Sequence, residues 1–253
     1  MSNITLHGFN NLTKSLSFSL YKLHYLNSNK AHTDYTAYIN EHFCADRLNT
    51  ILVNICHTIG GNILNIAKQD YQPQGASVTL MISEEAQPSS CTEILVAHLD
   101  KSHICIHTYP EETPQDGVAI FRADIELSTC GVISPLKVLN FVIKEFNADV
   151  IDIDYRVRGM TRNLQGGMLF EDQKVNNICD HINSDILEQY KTSSHNFLTQ
   201  NLFHTKLSKK TIKLDEYLFN IPNGVLLSKQ HTKISLQIQN HIDKLYQARI
   251  SSS

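Results

Sequence analysis

Between Val96 and Glu112 the chain reads VAHLDKSHICIHTYPEE, which places a serine, two imidazoles and a thiol within six positions. His103, Cys105 and His107 recur at every second residue. On an extended strand such residues share one face, spaced about 6.6–6.8 Å apart. Three chemistries compete for this pattern. Imidazole and thiolate are zinc ligands, but a metal needs three or four donors converging at about 2.0–2.3 Å, and a strand splays successive donors apart. Alternatively, the Ser102 hydroxyl attacks the carbonyl of the residue before it and turns the peptide into an ester. A base that then removes the serine α-proton leaves dehydroalanine, and hydrolysis yields a pyruvoyl ketone. Such a ketone condenses with amines and acts as an electron sink. The third reading is an ordinary sheet face carrying hydrogen-bonded imidazoles. The residues alone leave all three open.

A second reactive group lies in "STCG", where Cys130 precedes Gly131, Ser134 and Pro135. A helix N-terminus there would lower the pKa of the thiol. Ser102 and His107 are five positions apart, so a straight strand puts them on opposite faces. If the two act together, the sequence calls for a turn or bulge at Asp100-Lys101-Ser102.

The elements that must position these groups are mostly strands. "SLSFSLYKL" (Ser15 to Leu23) alternates serine with apolar residues, the period of a strand buried on one face. From about Asp34 to Ile59 apolar residues fall at helical spacing, and Gly60-Gly61 ends that helix. "NILNIAK", "ASVTLMIS", "EILVAHL", "HICIHTY", "GVAIFRADIEL" and "DVIDIDYRVRG" read as further strands. "SPLKVLNFVIKEF" reads as a helix with Ser134 as N-cap and Pro135 at its first position. Further helices are expected over about Glu171 to Tyr190 and Ile234 to Tyr246. The connections are too short for parallel crossovers, so the expected fold is α/β of the α+β type. Its architecture is a two-layer α/β sandwich, a mainly antiparallel sheet with helices packed on it.

With 253 residues the chain is long enough to bury a substantial core. A net charge of −3 gives no reason to expect a nucleic-acid or anionic-membrane partner. There is no signal peptide, and no apolar run approaches the roughly 20 residues of a membrane span. A cytoplasmic protein is expected. Its six cysteines (Cys44, Cys56, Cys91, Cys105, Cys130, Cys179) then read as free thiols.

Several stretches together resemble the long bacterial form of the S-adenosylmethionine decarboxylase proenzyme family. They are "LHGFNNLTKS", "NILNIAKQDYQPQGASVT", "VAHLDKSHICIHTYPE", "FRADIELSTCGVISPLK", "DYRVRG" and "NLFHTK", in order from Leu6 to Lys206. The resemblance implies one domain that cuts itself between Lys101 and Ser102 into a β chain, 1–101, and an α chain, 102–253. It implies that Ser102 becomes a covalent pyruvoyl group forming a Schiff base with S-adenosylmethionine. His107 matches the proton acceptor of processing, and Cys130 the proton donor of catalysis. The product implied is decarboxylated S-adenosylmethionine, the aminopropyl donor for spermidine. A tetramer of αβ units and stimulation by magnesium are also implied, although no magnesium ligand set is visible. The competing expectation is a zinc-dependent hydrolase or metal-binding protein using His103, Cys105 and His107.

Overall fold

The alternation in the first strand governs the architecture. In β1 (Thr13–Tyr25), Leu16, Phe18 and Leu20 are buried on one face, while Ser15, Ser17 and Ser19 project from the other. The computed structural model describes residues 11–83, 102–111, 114–131, 133–163, 165–170, 172–221 and 228–247. Further strands are β2 (Asn62–Asp70), β3 (Ala76–Ser83), β4 (Ser102–Pro110), β5 (Val118–Cys130) and β6 (Val150–Arg158). A short hairpin, β7 (Thr161–Arg162) with β8 (Met168–Leu169), stands apart from them. Strands β9 (Tyr190–Phe197) and β10 (Leu202–Lys209) complete an eight-stranded sheet of order β2-β3-β4-β5-β1-β6-β10-β9. Every pairing in it is antiparallel. The expected strand "EILVAHL" lies outside the described residues.

Helices α1 (Asn29–His42) and α2 (Ala45–Ile59) replace the single helix read over 34–59. The chain breaks at Phe43-Cys44 between them. Ser28 caps α1, its Oγ accepting from the Ala31 amide at 3.2 Å. Gly60, at φ 88°, ends α2 in the left-handed conformation that glycine adopts without steric cost. The third helix, α3 (Leu139–Phe146), follows a 3-10 turn over Pro135–Val138, and Ser134 makes no side-chain capping bond.

The helix expected over 171–190 is absent. Ile178, Ile182 and Ile186 have helical spacing, but Asn177 turns its Oδ1 onto the Cys179 amide and starts only a 3-10 turn, Ile178–His181. Ile182 is extended, and the short α4 (Ser184–Leu187) then leads into β9. Local asparagine side-chain bonds outcompete the helix here.

Helices α2 and α3 pack Leu48, Leu52, Ile55, Leu139 and Val142 onto the face of the sheet that carries Leu16, Phe18, Ile104, Ile125 and Ile153. Each such fully buried aliphatic side chain contributes about 1.5–3 kcal/mol. The last helix, α5 (Ser228–Gln247), begins earlier than its periodicity indicates. It lays Ile234, Ile238 and Ile242 on Leu23, Val118 and Val150, which belong to the opposite face. It covers only one end of that face. The helices-on-antiparallel-sheet arrangement therefore holds, with a partial third layer and an open polar region beside it. Among the described residues no helix is long and apolar enough to cross a membrane.

One core group makes the fold acid-sensitive. The His24 ring packs against Tyr35, Tyr38 and Phe219, with centroids 5.2, 6.3 and 6.1 Å away. Its Nδ1 is buried without a hydrogen bond among the described residues. Burial, helped by Lys22 and opposed by Asp149, pushes its pKa down to about 4. Because the unfolded chain takes up the proton first, stability is constant above about pH 6.5 and falls as pH drops towards 4. The expected loss is about 2 kcal/mol, allowing for partial exposure of the ring. Denaturant midpoints at pH 7 and pH 4.5 should converge in His24→Phe and separate in the parent. Equal acid loss in both proteins would exclude His24 as the source.

Candidate functional site

Ser102 opens β4 and is 6% exposed. It pairs with Ile82 of β3 and points to the helix-covered face, as do Ile104 and Ile106. Its Oγ is buried and has no hydrogen-bond partner among the described residues. A buried hydroxyl without a partner is costly, of the order of 1–3 kcal/mol, and its presence in a core asks for a chemical reason.

His103, Cys105 and His107 project from the open face and sit opposite Ser128, Glu126 and Asp124 of β5. They are splayed along the strand. Among the described residues no three His, Cys, Asp or Glu side chains are placed to hold a metal ion. Burial, then the charge of Glu126, pushes the Cys105 thiol up, away from the thiolate that zinc requires.

Cys130 ends β5 on the same open face, paired with Thr13 of β1, whose Oγ1 lies 4.0 Å from its sulfur. The α-helix proper begins only at Leu139, so Cys130 is not the helix-capping thiol that the sequence led us to expect. Since His103 pairs with Ser128, residue 102 lies level with Thr129, diagonally beside Cys130. Ser102 and Cys130 are therefore diagonal neighbours along the backbone at one end of the sheet, with their side chains on opposite faces.

His107 does not join them. It lies five residues along β4, about 17 Å from Ser102 at strand spacing, and faces the other way. The register with β3 runs unbroken from Ser102 to His107, and that with β5 from His103 to Pro110. The expected bulge is thus absent from 102–110, while Asp100 and Lys101 lie outside the described residues.

Sequence reasoning missed the surroundings of Cys130. A depression of about 260 Å³ on the open face is lined by Ser15, Ser17, His103, Glu126, Ser128 and Arg158. Thr13 pairs with Cys130 on one side and with Arg158 on the other, which sets the three in a row across β5, β1 and β6. Arg158 donates to Ser15 Oγ at 3.2 Å. The signal was present in the alternating serines of β1 and in the second arginine of "DYRVRG", but only the register joins them. That motif also meets "NLFHTK" here, with His204 Nδ1 2.8 Å from Asp154 Oδ1. On the helix side Lys14 forms a buried ion pair with Asp172 at 2.8 Å, one strand from Thr129.

A family model described as S-adenosylmethionine decarboxylase matches residues 35–159. An S-adenosylmethionine decarboxylase proenzyme of Clostridium acetobutylicum is 46% identical, over 97% of this chain and 94% of its own. Its namesake in Yersinia enterocolitica is also 46% identical, with 98% of each chain covered. The Pseudomonas aeruginosa protein of the same name is 45% identical over 98% of each. With identity of this level along nearly the whole length, the chain belongs to the S-adenosylmethionine decarboxylase family.

Proposed function

We propose that this chain is a proenzyme that cuts itself between Lys101 and Ser102 and then decarboxylates S-adenosylmethionine, forming the aminopropyl donor for spermidine. The observation that carries the reading is the buried Ser102 hydroxyl at the first position of β4, without a hydrogen-bond partner among the described residues and at the sheet end that carries Cys130. Nearly full-length relatives named as proenzymes support it.

In the cut, Ser102 Oγ attacks the carbonyl carbon of residue 101, and the peptide nitrogen becomes the free amine of residue 102. Removal of the Ser102 α-proton then expels the carboxylate of 1–101. Hydrolysis of the resulting dehydroalanine releases ammonia and leaves a carbonyl at position 102. Both fragments are held by the sheet. Strands β1 to β3 precede the cut and β4 to β10 follow it, yet β1 lies between β5 and β6. The products of the cut thus stay one folded domain.

The carbonyl at position 102 supplies the electron sink for loss of the substrate's carboxylate. The protein's own groups must orient that carboxylate and then return one proton to the α-carbon. Cys130 is the donor, since it sits at the same sheet end on the open face. In a strand the side chain stands off the sheet and the α-hydrogen lies near its plane, so the helices that cover the Ser102 hydroxyl leave that hydrogen approachable from the open face. Within one chain His107 is too far along β4, so we assign the base to His107 of a second copy in the homo-oligomer. Magnesium has no ligand cluster among the described residues, and no step here uses it.

Purified protein treated with labelled S-adenosylmethionine and sodium borohydride should carry the label on the 102–253 fragment. Label on the 1–101 fragment, or on neither, would refute the reading.

A further inference from the structure

We infer that Thr129 is a positioning residue for the self-cleavage: its hydroxyl accepts from the Ser102 hydroxyl and aims that oxygen at the carbonyl carbon of residue 101. This rests on the decarboxylase reading above and adds to it the group that prepares the nucleophile for the first bond change.

Position comes first. Residue 102 is level with Thr129, and both side chains project from the helix-covered face. Directly opposed residues on antiparallel neighbours have Cβ atoms about 4.5–5.5 Å apart, which lets two short hydroxyl side chains bond to each other. The other side chains that the register sets beside Ser102 on this face are Ile82 of β3, Ile104 of β4 and Leu127 of β5. Of these four neighbours Thr129 alone carries a polar atom, and it is fully buried. Two adjoining hydroxyls thus end a face that is otherwise apolar along β4 and β5.

The bonds around Thr129 set its polarity. Its Oγ1 donates to the carbonyl oxygen of Ile133 at 3.4 Å, so its lone pairs remain for accepting. On its other side stands Lys14 of β1, buried on the same face, but that ammonium is taken by Asp172 at 2.8 Å. Ser102 Oγ, for its part, has no partner among the described residues. In the reactive arrangement Ser102 turns about χ1 into the staggered well that faces β5 and donates to Thr129. A directed chain then runs from Ser102 through Thr129 to the Ile133 carbonyl, each bond polarising the next.

That chain supplies what the acyl shift needs. A serine whose proton is held by Thr129 keeps its lone pairs for the carbonyl carbon of residue 101. The bond from Oγ to that carbon forms, the bond from the carbon to the nitrogen of residue 102 breaks, and the hydroxyl proton ends on that nitrogen. Without the acceptor the hydroxyl spreads over its other rotamers, and misplacing a reacting atom by about 1 Å costs about 10²-fold in rate. Thr129 serves this step only. The α-hydrogen is removed afterwards from the open face, to which Thr129 does not project.

The test follows newly translated full-length chains over time, comparing the parent with Thr129→Val, Thr129→Ser and His107→Ala, each with and without hydroxylamine. Circular dichroism first establishes that each is folded. At neutral pH hydroxylamine attacks an ester at residue 101 and spares the peptide bond, so it cuts only chains that have completed the acyl shift. Thr129→Val keeps the shape of the side chain and removes the acceptor. Its cutting should slow about a hundredfold, and hydroxylamine should not restore it. Thr129→Ser keeps the hydroxyl and should cut at close to the parent rate. His107→Ala stops after the ester and should be cut by hydroxylamine. Should Thr129→Val not fold, Thr129→Ala carries the same two expectations. Parent-rate cutting without the hydroxyl, hydroxylamine cutting as full as in His107→Ala, or equal slowing in Thr129→Ser would overturn the assignment. A parent chain that stays whole, or whose 102–253 fragment has the mass of an unmodified serine, would remove the decarboxylase reading itself by a different measurement.

Discussion

Ser102→Ala is expected to yield a single uncut chain of about 28.7 kDa with no decarboxylase turnover. The loss follows from atoms, not from shape. Without Oγ there is no nucleophile for the carbonyl of residue 101, no ester to eliminate and no ketone to take up electrons. Activity should fall by at least about four orders of magnitude, since the whole covalent route is gone. The fold should survive. The hydroxyl is buried and without a partner among the described residues, so its removal breaks no hydrogen bond and relieves a desolvated polar atom. Thermal unfolding of the variant should match or slightly exceed that of the uncut parent. A cut or active Ser102→Ala protein would end the pyruvoyl account.

The same variant tests where the base resides. Ser102→Ala keeps His107, and His107→Ala keeps Ser102, so each alone should remain uncut. Co-expressed with distinct tags in one oligomer, the His107→Ala chain should be cleaved by the histidine of its neighbour, while the Ser102→Ala chain stays whole. If His107 acts within its own chain, neither will be cut. The geometry that requires the first outcome is the uninterrupted register of β4, which keeps the two residues on opposite faces.

The sheet was legible where one face is apolar and the other is not. Leu16, Phe18 and Leu20 against Ser15, Ser17 and Ser19 gave β1 its period and its orientation at once. Gly60 marked the end of α2 because its backbone conformation favours glycine. Strands β9 and β10 were not legible. "KTSSHNF" is polar on both faces because β9 is an edge strand, and edge strands carry no core signature. The helix misread over 171–190 failed for a related reason. Isoleucines at helical spacing bind the core equally well from a broken chain, and the asparagines that break it act through local hydrogen bonds.

At the site, Ser102, His107 and Cys130 were named by motif, yet their mutual placement was not. Thr13 lies 117 residues from Cys130 in sequence and reaches it only through the β1–β5 register. No spacing along one chain encodes such a neighbour. That is also why Glu126 and Arg158 escaped notice. Each is an ordinary surface charge until the sheet order puts them around one depression.

Cys130→Ala separates the two halves of the mechanism. Cutting uses the Ser102 hydroxyl, which points to the helix face, and a base arriving from the open face. The Cys130 sulfur takes part in neither bond change, so the variant should still be cut. Turnover is another matter. The substrate's α-carbon needs a proton as soon as carbon dioxide leaves, and a positioned donor is worth about 10²–10⁴ in rate. Without it, protons come from water, which discriminates poorly between the α-carbon and the carbon of residue 102. Protonation at residue 102 replaces its ketone by an amine and ends catalysis in that subunit. Cys130→Ala should therefore show depressed kcat together with faster inactivation, and the mass of the 102–253 fragment should change as turnovers accumulate. Cys130→Ser should retain the hydrogen-bonding contact with Thr13 but donate less readily, and so fall between the two. Wild-type kcat in Cys130→Ala would remove the thiol from the reaction, whereas an uncut variant would move it to the maturation step. Only slow, self-limiting turnover by a properly cut protein agrees with a thiol that serves the substrate's carbon and not the peptide bond.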